Sequence, residues 1–122
     1  MSRGRILLAD DETLLVKMMK IRLEANDYEV LTAYDGEAAL ELARREHPDL
    51  IILDLMLPKA DGYEVCAGLK KDPNCLKIPV VILSARAQDA DKKMGEEVGA
   101  AAYITKPFDT QELMAKIREL LL

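Results

Sequence analysis

Five short apolar runs alternate with longer stretches of helical spacing, and this alternation restricts the fold more than any other feature of the chain. The runs are RILLAD (5–10), EVLTA (29–33), LIILD (50–54), VVILS (80–84) and AAYIT (101–105). The first, third and fourth are almost unbroken in apolar residues, the pattern of strands covered on both faces by helices. Between the runs, Leu14, Met18, Ile21 and Ala25 recur at helical intervals, as do Ala39, Leu42 and Ala43, and later Ala87, Ala90, Met94 and Val98. A last helix places Leu113, Ile117, Leu120 and Leu121 on one side, and Asp109 with Glu112 is a capping signal at its start. Turn residues at Asp35-Gly36, His47-Pro48-Asp49, Asp61-Gly62, Asp72-Pro73-Asn74, Pro79 and Gly99 mark the joints. Repeated strand–helix alternation predicts an α/β fold: a doubly wound, five-stranded parallel sheet with right-handed crossovers and five helices on its two faces. The 122 residues fit a single domain spanning 1–122, with no internal repeat or linker.

Charge and cysteine usage remove several function classes. Seventeen Lys and Arg against 22 Asp and Glu leave a net charge of −5, which argues against nucleic-acid binding through bulk electrostatics. Cys66 and Cys75 are not spaced as C-x-x-C and have no histidine cluster beside them, so they read as free thiols of a reducing cytoplasm rather than zinc ligands. The N-terminal MSRGRILLADDE reaches acidic residues too soon for a signal-peptide core or a membrane span. A cytoplasmic protein with no membrane contact is expected.

In a sheet of this kind ligands bind beyond the carboxyl ends of the strands, near the point where strand order reverses. The polar residues of this chain gather there. The first run ends in Asp10 and continues into Asp11 and Glu12; the third ends in Asp54, the fourth in Ser84, and the fifth is followed by Lys106. Carboxylates brought this close repel one another by roughly 4 kcal/mol per pair at an effective dielectric near 20, so a cation has to compensate. The donors are all oxygens, which suits a hard ion such as Mg2+, with Mn2+ as its substitute. A hard cation, an ammonium from Lys106 and a hydroxyl from Ser84 around the carboxylate of Asp54 describe a phosphoryl acceptor.

LLADDE, ILDLMLPKADG, VVILSAR and AAYITKPF resemble, in order and spacing, the four signature blocks of the receiver domain of two-component response regulators, a CheY-like family. The resemblance covers essentially the whole chain and implies a flavodoxin-like sheet with strand order 2-1-3-4-5. It implies that Asp54 takes a phosphoryl group from a histidine on a kinase or a histidine phosphotransfer protein. Asp10, Asp11 and the backbone carbonyl of Met56 would join Asp54 in holding Mg2+, and Lys106 would be the catalytic lysine. Ser84 would be the switch hydroxyl, Tyr103 the switch aromatic, and Lys106-Pro107 a cis bond. Phosphorylation would alter the surface of the fourth helix, fifth strand and fifth helix. An output protein would read that surface, or a second copy would pair with it in a phosphorylation-dependent homodimer. The family implies no enzyme activity on other substrates, only Mg2+-dependent self-phosphorylation and autodephosphorylation. Met56 and Arg86 lie two residues beyond Asp54 and Ser84, where a bulky thioether and a cation would slow attack of water on the acyl phosphate.

Each residue has a plainer reading. Asp10 and Asp11 could cap the first helix, Ser84 could be a loop hydroxyl, Tyr103 a half-buried strand aromatic and His47 a turn residue. Leu15, Met18 and Phe108 could form part of a kinase-docking face. The same receiver could also be the excised N-terminal input module of a longer regulator with a DNA-binding or cyclase output. A haloacid-dehalogenase-like phosphatase would need a second aspartate where Met56 stands. A flavodoxin-like electron carrier would need a Ser-, Thr- and Gly-rich loop where DDETLL stands.

Overall fold

The computed structural model describes residues 2–86 and 88–122. Its elements run β1 (Gly4–Ala9), α1 (Thr13–Ala25), β2 (Tyr28–Ala33), α2 (Gly36–Glu46), β3 (Leu50–Asp54), α3 (Gly62–Lys70), β4 (Val80–Ser84), α4 (Asp89–Glu97), β5 (Ala102–Thr105) and α5 (Thr110–Leu120). The five strands form one parallel sheet in the order β2-β1-β3-β4-β5. The expected architecture and strand order are both present.

The strands that read as unbroken apolar runs are the three central ones, and every residue of β3 and β4 is buried. Side chains alternate across the sheet. Ile6, Leu8, Ile52, Val81, Leu83 and Ile104 face a core closed by α1 and α5, while Leu7, Ile51, Leu53, Val80 and Ile82 face one closed by α2 and α3. In α5, burial of Leu113, Met114 and Ile117 contributes roughly 2 kcal/mol apiece. Aspartates start three of the helices: Asp35 accepts from the Ala38 amide, Asp61 from Glu64 and Asp109 from Gln111. These bonds satisfy amide groups that the first helical turn leaves without partners. His47 ends α2 in the left-handed region with φ 47°, which fits its reading as a turn residue.

Two helical stripes differ from expectation. In α1 the residues that face the sheet are Val16, Met19 and Leu23, whereas Leu14, Met18 and Ile21 are 70%, 61% and 69% exposed. Both sets satisfy a 3.6-residue period, so periodicity could not tell which one the sheet would cover. In α4 the one buried residue is Gly95; Ala90 and Met94 are exposed, Val98 is half-buried, and Ala87 lies outside the described residues. This helix is short and polar, and Gly95 is its one point of full burial, against Tyr103 and Ile82. Among the described residues no helix is long and apolar enough to cross a membrane.

Candidate functional site

Strand register builds the site. Ala9 pairs with Leu53, so the next residues, Asp10 and Asp54, leave the sheet at the same level. Ser84 pairs with Thr105 and thereby sets Lys106 beside that level on the far side. Parity then divides the set. Asp10, Asp54 and Lys106 share the α1/α5 side with Leu8, Ile52 and Ile104, whereas Ser84 and Tyr103 share the opposite side with Ile82. Asp10 itself lies just past the end of β1, tied to the sheet by its amide bond to the Ala33 carbonyl at 3.1 Å.

Lys106 draws the first group together. Its Nζ lies 2.9 Å from Asp10 Oδ2, 3.5 Å from Asp54 Oδ2 and 3.6 Å from Glu12 Oε1. Asp10 and Asp54 are 1% and 5% exposed, an unusual burial for carboxylates. Asp10 Oδ1 accepts from the Glu12 amide at 2.9 Å, and Asp54 Oδ1 accepts from the Met56 amide at 3.3 Å. The Lys106-Pro107 bond is cis.

Burial raises the Asp54 carboxyl above its ordinary range and the charge of Asp10 raises it further; the Met56 amide and Lys106 pull it back only in part. Burial by itself would lower Lys106, but its hydrogen bond to Asp10 and the charges of Asp10, Asp54 and Glu12 hold it above its ordinary value. The cluster is therefore short of positive charge. Oxygens of Asp10, Glu12 and Asp54 lie within 4.8 Å of one another, with one ammonium among them. Such an all-oxygen set suits a small divalent cation.

Asp11 is exposed and stands outside this trio. Sequence reasoning did not single out Glu12, although its place two residues after Asp10 was a usable signal. Neither Asp10 nor Asp11 caps α1: Glu12 occupies that position and makes no side-chain cap bond.

Ser84 and Tyr103 belong to a second set of contacts, centred on Arg86. Ser84 is fully buried, and its Oγ accepts from the Arg86 amide at 3.1 Å. The Tyr103 hydroxyl donates to the Arg86 carbonyl at 2.9 Å. The Arg86 guanidinium turns toward α4, 3.7 Å from Asp91 Oδ1. Met56 is 58% exposed and lines a shallow depression with Leu55, Leu57, Asp61, Tyr63 and Arg86. Cys66 and Cys75 are free and buried; burial raises both thiols.

Comparison with known proteins agrees with this geometry. Residues 6–118 match the family described as response regulator receiver domain. The alkaline phosphatase synthesis transcriptional regulatory protein PhoP of Bacillus subtilis is 45% identical over 117 residues, 96% of this chain and 48% of PhoP. The receiver domain of Francisella response regulator 1452 superposes with a TM-score of 0.90 at 33% identity, covering 97% of this chain and 96% of that one. The receiver domain of the sensor histidine kinase PA1611 of Pseudomonas aeruginosa, solved with a magnesium ion in its active-site cleft, gives 0.89 at 28% identity, with 97% of each chain covered. The chain belongs to the receiver-domain family of two-component response regulators, CheY-like phosphoryl-accepting switches. It spans about half the length of the curated relatives it matches.

Proposed function

We propose that Asp54 is the phosphoryl acceptor of this receiver and that a histidine kinase or histidine phosphotransfer protein is the donor. The observation that carries the reading is a buried carboxylate at a strand end, 3.5 Å from a partly buried lysine and beside a second buried carboxylate. A carboxylate oxygen of Asp54 attacks phosphorus as the P–N bond of a phosphohistidine breaks, and the leaving imidazole takes up a proton. The product is an acyl phosphate on Asp54. Lys106 favours the ionised form of Asp54 before attack and offsets charge on a phosphoryl oxygen during it. Asp10, Asp11, Asp54 and the Met56 carbonyl, with Glu12 alongside, would hold Mg2+ or Mn2+, which when bound supplies the missing positive charge. The magnesium in the cleft of the PA1611 receiver domain supports that reading.

The donor docks against α1. Leu15, Met18 and Phe108 line a groove between α1 and α5, and the exposed Leu14, Met18 and Ile21 extend its apolar surface. Ser84 then turns toward the new phosphoryl group, which adds charge and acceptor oxygens at the sheet edge, and Tyr103 follows through Arg86. The face of α4, β5 and α5 changes its affinity for an output protein or for a second copy of the chain.

Incubation with a small acyl phosphate and Mg2+ should add the mass of one phosphoryl group to the wild-type chain and none to Asp54→Asn. Equal gain on both proteins, or none on either, would show that the acceptor is misassigned. Met56, two residues beyond Asp54, carries a bulky, exposed side chain that would hinder water at the acyl phosphate. Met56→Asn should therefore shorten the phosphoryl half-life by about threefold to tenfold by giving water a polar anchor near phosphorus. An unchanged half-life removes Met56, and with it the argument for Arg86, from control of hydrolysis.

A further inference from the structure

Arg86 engages its neighbours through three separate groups. Its amide donates to Ser84 Oγ, its carbonyl accepts from the Tyr103 hydroxyl, and its guanidinium lies near Asp91. Asp91 stands in the first turn of α4, and its own carbonyl accepts from the Tyr63 hydroxyl of α3 at 2.8 Å. Hydrogen bonds and one ion pair thus run from the switch hydroxyl to a tyrosine that the switch, as described above, does not use.

The rest of α4 gives this chain of contacts its leverage. Gly95 is the one buried residue of the helix, and a Cβ there would lie 3.0 Å from Cδ2 of Tyr103. With so little apolar area holding α4 to the sheet, single polar contacts carry an unusual share of its positioning. Tyr63 is half-buried in the same core as Tyr103. Burial, the neighbouring Tyr103 phenol and Asp91 push its hydroxyl up to about 12, so it remains a donor at any physiological pH.

We propose that Tyr63 is a positioning residue of the switch: its hydroxyl tethers the first turn of α4 and so holds Arg86 where it occupies both Ser84 and Tyr103. The effect on phosphorylation rests on the reading of Asp54 given above; the tether itself does not. Accepting from the Arg86 amide leaves the Ser84 proton free, but Ser84 and Asp54 lie on opposite sides of the sheet, so to reach a phosphoryl group on Asp54 the side chain must rotate, and that rotation takes it from the Arg86 amide. The Arg86 segment then moves against an anchor fixed by Tyr63. Removing the anchor makes that movement easier.

Tyr63→Phe deletes one oxygen and keeps the ring. A net hydrogen bond of ordinary strength corresponds to about a fivefold change in equilibrium. In the unmodified protein, amide hydrogen exchange at Arg86 and through α4 should quicken about fivefold, while α1 and α5 keep their rates. In the presence of Mg2+, beryllium fluoride, an acyl-phosphate mimic, should bind the variant about fivefold more tightly than wild type. A purely structural tyrosine would lower the melting temperature and leave that affinity unchanged. Unaltered exchange at Arg86 overturns the tether, and faster exchange with unaltered affinity overturns its link to the switch. Equal binding of the mimic by Asp54→Asn and wild type would instead indict the acceptor assignment, and exchange at Arg86 would still decide the tether.

Discussion

Lys106→Met should cut phosphoryl uptake at Asp54 by about a hundredfold to a thousandfold, the usual cost of removing one preorganised charge or donor from a developing anion. The substitution keeps an unbranched chain of similar length and removes the ammonium, which lies 2.9 Å from Asp10 and 3.5 Å from Asp54. The fold should also weaken, by roughly 3 kcal/mol in metal-free buffer at neutral pH, because two buried carboxylates lose their shared cation. That loss should depend on pH in a fixed direction. Asp54 already binds its proton more tightly in the folded protein than in the unfolded chain, first through burial and then through Asp10. A carboxyl raised on folding adds most to stability below the ordinary carboxylate range, and the contribution is lost as pH rises through the raised value. Without Lys106 nothing but the Met56 amide opposes the rise, so the difference between variant and wild type should narrow on acidification. Urea unfolding of both proteins at neutral and mildly acidic pH measures it. A gap that widens toward acid would mean that Lys106 does not act by neutralising Asp54.

How much of this was legible beforehand depends on which residues are asked about. The alternation of five apolar runs with helical segments led directly to the sheet, because central strands covered on both faces must be apolar throughout. The placement of Asp10, Asp54, Ser84 and Lys106 at one sheet edge followed from their being strand-terminal. Their division into two sets did not, since it depends on register and pleat: Ser84 is one residue out of phase with Asp54, and that sets its side chain on the opposite side of the sheet. In α1 two apolar stripes were available, and the sheet covered the one containing Val16, Met19 and Leu23. The stripe left outside, Leu14, Met18 and Ile21, is an exposed apolar surface beside the groove between α1 and α5. Glu12 was seen at the end of the first run but not set among the converging residues. Tyr63 escaped notice because its partner, the Asp91 carbonyl, is remote in sequence, and a backbone carbonyl has no signature in a residue string.

Gly36→Ala should destabilise the protein by at least about 3 kcal/mol, at the upper end of what overpacking a filled site costs. A Cβ at this position would stand 1.8 Å from the Ala60 carbonyl oxygen and 2.8 Å from the Ala60 Cβ. Neither strand of chain can retreat cheaply. The Gly36 amide donates to the Pro58 carbonyl at 3.0 Å, the Ala60 amide to the same carbonyl at 2.9 Å, and Asp35 fixes the start of α2 through the Ala38 amide. The gain in helix propensity from glycine to alanine, about 1 kcal/mol, is too small to offset the clash. The segment displaced is the loop that leaves Asp54, with Lys59 in the left-handed region at φ 70° and Gly62 at its far end. At Gly62 an added Cβ would lie 2.9 Å from the carbonyl oxygen of Asp54 itself. Two glycines therefore clamp the loop from opposite ends, and pressure at Gly36 should reach the acceptor. Thermal unfolding should show a fall of about 10 °C for Gly36→Ala. Gly68→Ala is the control: its Cβ would meet the Leu40 methyls at an ordinary 3.5 Å, inside α3, so propensity should prevail and the melting temperature should rise slightly. If both variants shift alike, glycine-to-alanine propensity governs the outcome, and the close packing of α2 on the loop beyond Asp54 does not hold that loop in place.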